Sequence, residues 1–142
     1  MLVTVLDSNE YIFSFGLFKK PSCEILLNIL PEYNSSVAIR IARTILNEVR
    51  ANLTPEEFKE LVLFVNNLSA QIDEDYEIPF ELGSKYEAMG LKPADAFIAA
   101  YAEYVGADIL VSENRHFLSR HSNLPFRICN AEHCLKLIKA SR

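Results

Sequence analysis

The sequence predicts a single-domain α/β/α sandwich on a mostly parallel central sheet, spanning residues 1–142. Three observations predict it. Short apolar runs rich in β-branched residues alternate with segments of helical periodicity, the pattern of strands joined by crossover helices. Half of the residues are apolar and 23% are charged, and 142 residues are enough to bury one sizeable core. No repeat, low-complexity tract or linker-like stretch divides the chain.

The elements follow in order. "LVTVLD" reads as the first strand, ending at Asp7. "SNEYIFSFGLF" follows, with Ser8 placed to cap a helix, and "PSCEILLNIL" opens a second helix at Pro21. "YNSSVAI" suggests a turn and then a short strand. "RIARTILNEVRANL" reads as helical over residues 40–53. "TPEEFKELVLFVNNL" carries a capping signature, with Thr54 three residues before Glu57 and Pro55 in the first turn. "AQIDED" suggests a third strand, and "IPFELGSKYEAMG" a helix ending at Gly90. "KPADAFIAAYAEYVG" is opened by Pro93, filled with alanine and closed by Gly106. "DILV" and "FRIC" are strands, and "NAEHCLKLIKA" is a capped final helix.

Composition narrows the function. A formal charge of -5 argues against a protein held on nucleic acid by a general basic field. It leaves room for an enzyme acting on nucleic acid, because metal-binding acids add to the negative count and the metal restores positive charge locally. No apolar run approaches the ~20 residues that span a membrane. "MLVTVLD" lacks the basic region and cleavage site of a signal peptide, so the expected location is cytoplasmic, with no membrane partner. Cys23, Cys129 and Cys134 are scattered and odd in number, and read as buried thiols rather than a disulfide framework or zinc site.

Three acids stand in awkward places. Sites in parallel sheets form beyond the carboxyl ends of strands, often where strand order reverses. Asp7 ends the first strand, although it also reads as a cap for the next helix, and Asn9 could support either role. Along a helix over 40–53, Glu48 lies nearly two turns from Ile41 and three residues from Ile45, at the edge of the apolar face. A carboxylate there calls for an ion pair or a bound cation. Asp95 falls in the first turn of a helix apolar around most of its circumference. The helix dipole alone accounts for an acid there, yet the start of so buried a helix lies at the rim of the core. "DILV" then stops at Ser112-Glu113-Asn114-Arg115-His116, five polar residues that either mark the surface or serve a site. Acids drawn from distant segments suit Mg²⁺, which takes oxygen ligands and keeps several waters. Two such ions about 4 Å apart can activate water and stabilise the leaving oxygen in phosphodiester cleavage. His116, His121 and His133 show no pairing and read as structural or surface residues. Phe97, Tyr101 and Tyr104 have the helical spacing of a core or dimer interface.

With these residues in view, the sequence resembles the PIN-domain nucleases, and most of all the VapC-type toxins of toxin–antitoxin pairs. "VLDSNEYI" is similar to the family's first-strand motif, and "ILNEVRANL" to the helix with its second acid. "LKPADAFIAAYAEYVGADILVSENRHF" resembles its longest motif, an Asp opening an Ala-rich helix and a strand ending in Ser or Thr, one residue, then Asp or Asn. The three segments occur in the family's order between residues 3 and 117. By that resemblance Asp7, Glu48 and Asp95 hold metal, Ser112 supports the site, and Asn114 stands in the catalytic set where many members have a fourth Asp, positioning water or ligand with Ser112 and offering its carbonyl oxygen to a metal or water. Glu113 is one position off and does not replace that acid. The resemblance implies Mg²⁺- or Mn²⁺-dependent cleavage of single-stranded RNA, a homodimer, and a small antitoxin protein laid across the site. Lys92 and Arg115 flank it and read either as phosphate contacts or as solvated charges. Three other readings compete. A phosphatase with Asp7 as nucleophile would want a second Asp where Asn9 stands, and a receiver domain would want paired acids near the first strand. A catalytically weakened PIN-fold module that binds RNA or protein would explain the missing fourth acid.

Overall fold

The computed structural model describes residues 1–119 and 123–141. His121 lies outside the described residues. Five strands form one sheet: β1 (Leu2–Leu6), β2 (Val37–Ala42), β3 (Gln71–Asp73), β4 (Ile109–Val111) and β5 (Arg127–Cys129). Their spatial order is β3-β2-β1-β4-β5, and all four pairings are parallel. The order therefore reverses between β1 and β4, the place in a parallel sheet where sites form beyond the strand ends.

The helices are α1 (Ser8–Phe15), α2 (Pro21–Ile29), α3 (Arg43–Ala51), α4 (Pro55–Asn67), α5 (Phe80–Ala88), α6 (Pro93–Tyr104), α7 (Arg115–Leu118) and α8 (Ala131–Ala140). Right-handed crossovers put helices joining β1, β2 and β3 on one face and those joining β3 to β4 on the other. The packing agrees: α1 packs on α2, α3 and α4, and α2 on α8, whereas α5 and α6 pack on each other. The apolar core between these layers includes Val5, Ile41, Ile45, Leu61, Leu110 and Ile138, all fully or nearly fully buried.

Most elements fall where the sequence places them. The Thr54–Glu57 capping box forms in both directions, at 3.1 and 2.8 Å. Gly106 closes α6 at a φ of 67°, a backbone conformation that an L side chain resists. Three readings are corrected. Asp7, not Ser8, caps α1, because its carboxylate accepts from the Ser8 N–H while Ser8 is already helical. The helix expected over 40–53 begins only at Arg43, since Val37, Ile39 and Ile41 alternate inward as a strand. Ile41 is thus no guide to the face on which Glu48 sits. The polar run after β4 also folds, as the one-turn helix α7, capped by Asn114.

Candidate functional site

At the strand reversal two adjacent strand ends, those of β1 and β4, meet. The Asp7 N–H donates to the Val111 carbonyl at 2.8 Å, which extends the β1–β4 ladder by one residue and sets Asp7 beside Ser112. Both side chains are buried. Ser112 Oγ donates to Asp7 Oδ2 at 2.9 Å, and the Ser8 N–H donates to Oδ1 at 2.8 Å. Oδ1 also accepts a long bond from the Ser8 hydroxyl at 3.5 Å, so Oδ2, with one bond, keeps the clearer lone-pair capacity for another partner. The Asn114 N–H in turn donates to Ser112 Oγ at 3.1 Å, so hydroxyl, carboxylate and following loop form one chain of bonds.

Electrostatics gathers the other two acids. Burial first holds the Asp7 carboxyl above its ordinary value, the Ser112 and Ser8 bonds oppose this, and the negative charges of Glu48 and Asp95 raise it further. Asp95 is half-buried in the first turn of α6. Glu48 is exposed on α3, not set against an apolar face, and makes no ion pair with a described residue. The arginines near it in sequence are engaged elsewhere: Arg40 on Asp73, Arg43 on Glu74, and Arg50 over the Phe58 ring. The fold therefore brings Asp7 within electrostatic range of Glu48 and Asp95, with Ser112 and Asn114 alongside. The trio is open, however. Among the described residues, the group whose ligand atoms all lie within 4.8 Å of one another is a different one, Glu10, Cys23 and Glu113. All-oxygen donors at wider spacing fit a hard cation such as Mg²⁺, which retains water between itself and some carboxylates.

Asn114 is turned in a way the sequence does not reveal. Its Oδ1 caps α7 by accepting from the His116 N–H at 3.0 Å, so the carbonyl expected to face a metal or water is engaged. That bond fixes the amide orientation. Nδ2 then lies 3.5 Å from both Asp95 oxygens, and Asn114 offers Asp95 a donor where a fourth acid would have offered charge. Asn9 is half-buried in the first turn of α1. Lys92, Arg115, His116 and His133 are exposed. Phe97 is half-buried against the core, Tyr101 is fully buried and donates to Asp73 at 2.6 Å, and Tyr104 is partly exposed.

One neighbouring cluster escaped the sequence reading. Glu113 is turned to the other side of its strand end, onto Lys20 Nζ at 2.8 Å and the Ala131 N–H at 3.0 Å. Beside it lie Glu10 of α1 and Cys23 of α2. The signal available was Asp7-x-x-Glu10, which reads as an ordinary helix-capping pair and so conceals a buried acid. All three cysteines are buried free thiols, as expected.

No protein-family profile matches the sequence, and no curated protein matches it either. A solved structure does match: a chain from the crystal structure of VapBC2 from Rickettsia felis bound to a DNA fragment from their promoter. The TM-score is 0.64 at 18% identity, over 91% of this chain and 98% of that one. At that identity the likeness is one of architecture, with the same layered parallel sheet running nearly end to end in both: the chain has the PIN fold.

Proposed function

We propose that the protein is a divalent-metal-dependent endoribonuclease, cleaving single-stranded RNA by attack of a metal-activated water, and the toxin of a toxin–antitoxin pair. The observation that carries the reading is the convergence of Asp7 with Glu48 and Asp95 at the strand reversal, with burial and like charge both acting on Asp7. In this reading Asp7, Glu48 and Asp95 hold Mg²⁺ or Mn²⁺. A bound ion of this kind lowers the pKa of water and stabilises charge on the leaving oxygen. Ser112 keeps the Asp7 carboxylate in one orientation. Asn114 holds Asp95 by its amide and keeps the loop against Ser112. In this reading Lys92 and Arg115, both exposed, meet phosphates of the substrate. Among the described residues no helix is long and apolar enough to cross a membrane, in keeping with a cytoplasmic site of action. A homodimer and a small antitoxin protein complete the assembly.

The test is cleavage of a labelled RNA pool with Mg²⁺, Mn²⁺ or chelator, by wild type, Asp7→Asn and Asp95→Asn. Metal-dependent cutting that both substitutions abolish is expected. No cutting with either metal, and no metal-dependent rise in melting temperature, would refute the nuclease. It would favour instead a weakened module that binds RNA or protein, a reading supported by Asn114 in place of an acid.

A further inference from the structure

Glu10 has no place in the site just described, and its surroundings are unusual. Its side chain is fully buried, and neither carboxylate oxygen has a hydrogen-bonding partner. The polar groups beside it are the Glu113 carboxylate and the Cys23 thiol, each with a ligand atom within 4.8 Å of the other two residues. As a purely structural feature this is a poor arrangement. A fully buried acid beside a second acid is destabilising, and a glutamine or an apolar residue would avoid the cost. The acid keeps its proton instead: burial first, then Glu113, push its pKa up to about 9. One proton shared with Glu113 satisfies one oxygen, and the other has only the weak Cys23 S–H as donor.

The donor set is coherent when taken as a ligand set. Two carboxylates and a thiolate carry three negative charges, which one divalent ion and the Lys20 ammonium already on Glu113 together neutralise. Bonds of about 2.0–2.3 Å to oxygen and sulfur imply ligand atoms roughly 3.5 Å apart. Starting from no more than 4.8 Å, the side chains close by at most about 1.3 Å for any pair. A thiolate disfavours Mg²⁺ and favours zinc and its chemical relatives. Glu113 is steadied by the Ala131 N–H at the start of α8, and Cys23 sits in the first turn of α2, so the ligands are mounted on separate helices and a strand end.

We propose that Glu10, Cys23 and Glu113 form a second divalent-cation site, selective for a thiolate-accepting ion of the zinc class and distinct from the Asp7 site. It stands back to back with that site. Glu10 lies three residues beyond Asp7 on the same helix start, and Glu113 lies between Ser112 and Asn114. An ion there ties α1, α2 and the β4 end together, and acts as a structural clamp behind the acids.

The experiment uses the metal-free full chain with Mg²⁺ in excess and titrates Co²⁺, whose bond to a thiolate produces a charge-transfer absorption. One equivalent of Co²⁺ should give that band, and Zn²⁺ should displace it. Cys23→Ser should remove the band. Cys134→Ser should keep it, because Cys134 bonds to Cys129 and supplies no ligand atom to the group. Glu10→Gln copies the protonated acid in shape, so the metal-free variant should melt like wild type while binding Co²⁺ at least tenfold more weakly. Asp7→Asn should bind as wild type does. A folded wild type without the band overturns the proposal. So does a Glu10→Gln variant with undiminished affinity, or a band that persists in Cys23→Ser.

Discussion

Replacing Asp7 with asparagine should make the metal-free protein more stable at neutral pH. Asp7 is buried, and Glu48 and Asp95 both act against its charge. Asparagine keeps the geometry: Oδ1 still accepts from Ser8, and the Ser112 hydroxyl can reverse to accept from the new amide. Exchanging two charge-assisted bonds for neutral ones loses about 1 kcal/mol each. Removing a buried, repelled carboxylate regains several kcal/mol. The net gain is about 1–2 kcal/mol, or roughly 3–8 °C in melting temperature for a chain of this length. The pH dependence has a definite sign. A carboxyl whose folded pKa is raised contributes its stability below the ordinary carboxylate value and loses it as pH rises through the raised value. Wild type and variant should therefore melt together at pH 3 to 4 and separate as pH rises. Scanning fluorimetry across pH, without metal and then with Mg²⁺, measures this. Mg²⁺ should raise the wild-type midpoint and leave the variant unmoved. A variant less stable than wild type at neutral pH without metal would refute the reasoning and make Asp7 a structural cap.

Two further outcomes are expected. Asn114→Asp keeps an acceptor for the α7 cap but puts a carboxylate 3.5 Å from the Asp95 oxygens. It should destabilise the metal-free protein by about 1 kcal/mol and tighten Mg²⁺ binding on the order of tenfold, read by calorimetry. Asp73→Asn breaks a bidentate pair with Arg40, at 2.9 and 2.8 Å, and weakens the bond from Tyr101. Arg40 is about a quarter exposed, so the loss should be near the low end for such pairs, about 3 kcal/mol in urea unfolding. Burial would raise the Asp73 pKa, but the Arg40 and Tyr101 bonds outweigh it and lower it. That contribution is present above the ordinary carboxylate pKa and fades as pH falls through the lowered one, so wild type and variant should converge in acid.

The sequence makes some of this plain and hides the rest for physical reasons. Asp7 and Asp95 could be placed because a strand end and a proline-opened helix start are local signals. Strand order is not local, so the adjacency of Asp7 and Ser112 emerges only from the fold. The Val37–Ala42 strand ran into a helix without a turn residue, and the shared apolar pattern hid the boundary at Arg43. Glu113 and Asn114 follow each other but serve opposite sides of a strand end, a division that depends on the pleat and not on residue type. Glu10 drew no reading from the sequence because nothing in its neighbourhood announces Cys23 and Glu113.

The bond from Ser112 to Asp7 joins residues 105 apart, and β1 pairs with β4 at the same separation from Thr4 to Ile109. Closing so long a loop is entropically costly and comes late, after the nearer pairing of β1 with β2. A ribosome releases the first strand long before the segment that completes the site. The nascent chain can thus build its β1–β2 half without ever holding an assembled acidic site. Completion of that site waits for the segment that carries Ser112 and Asn114.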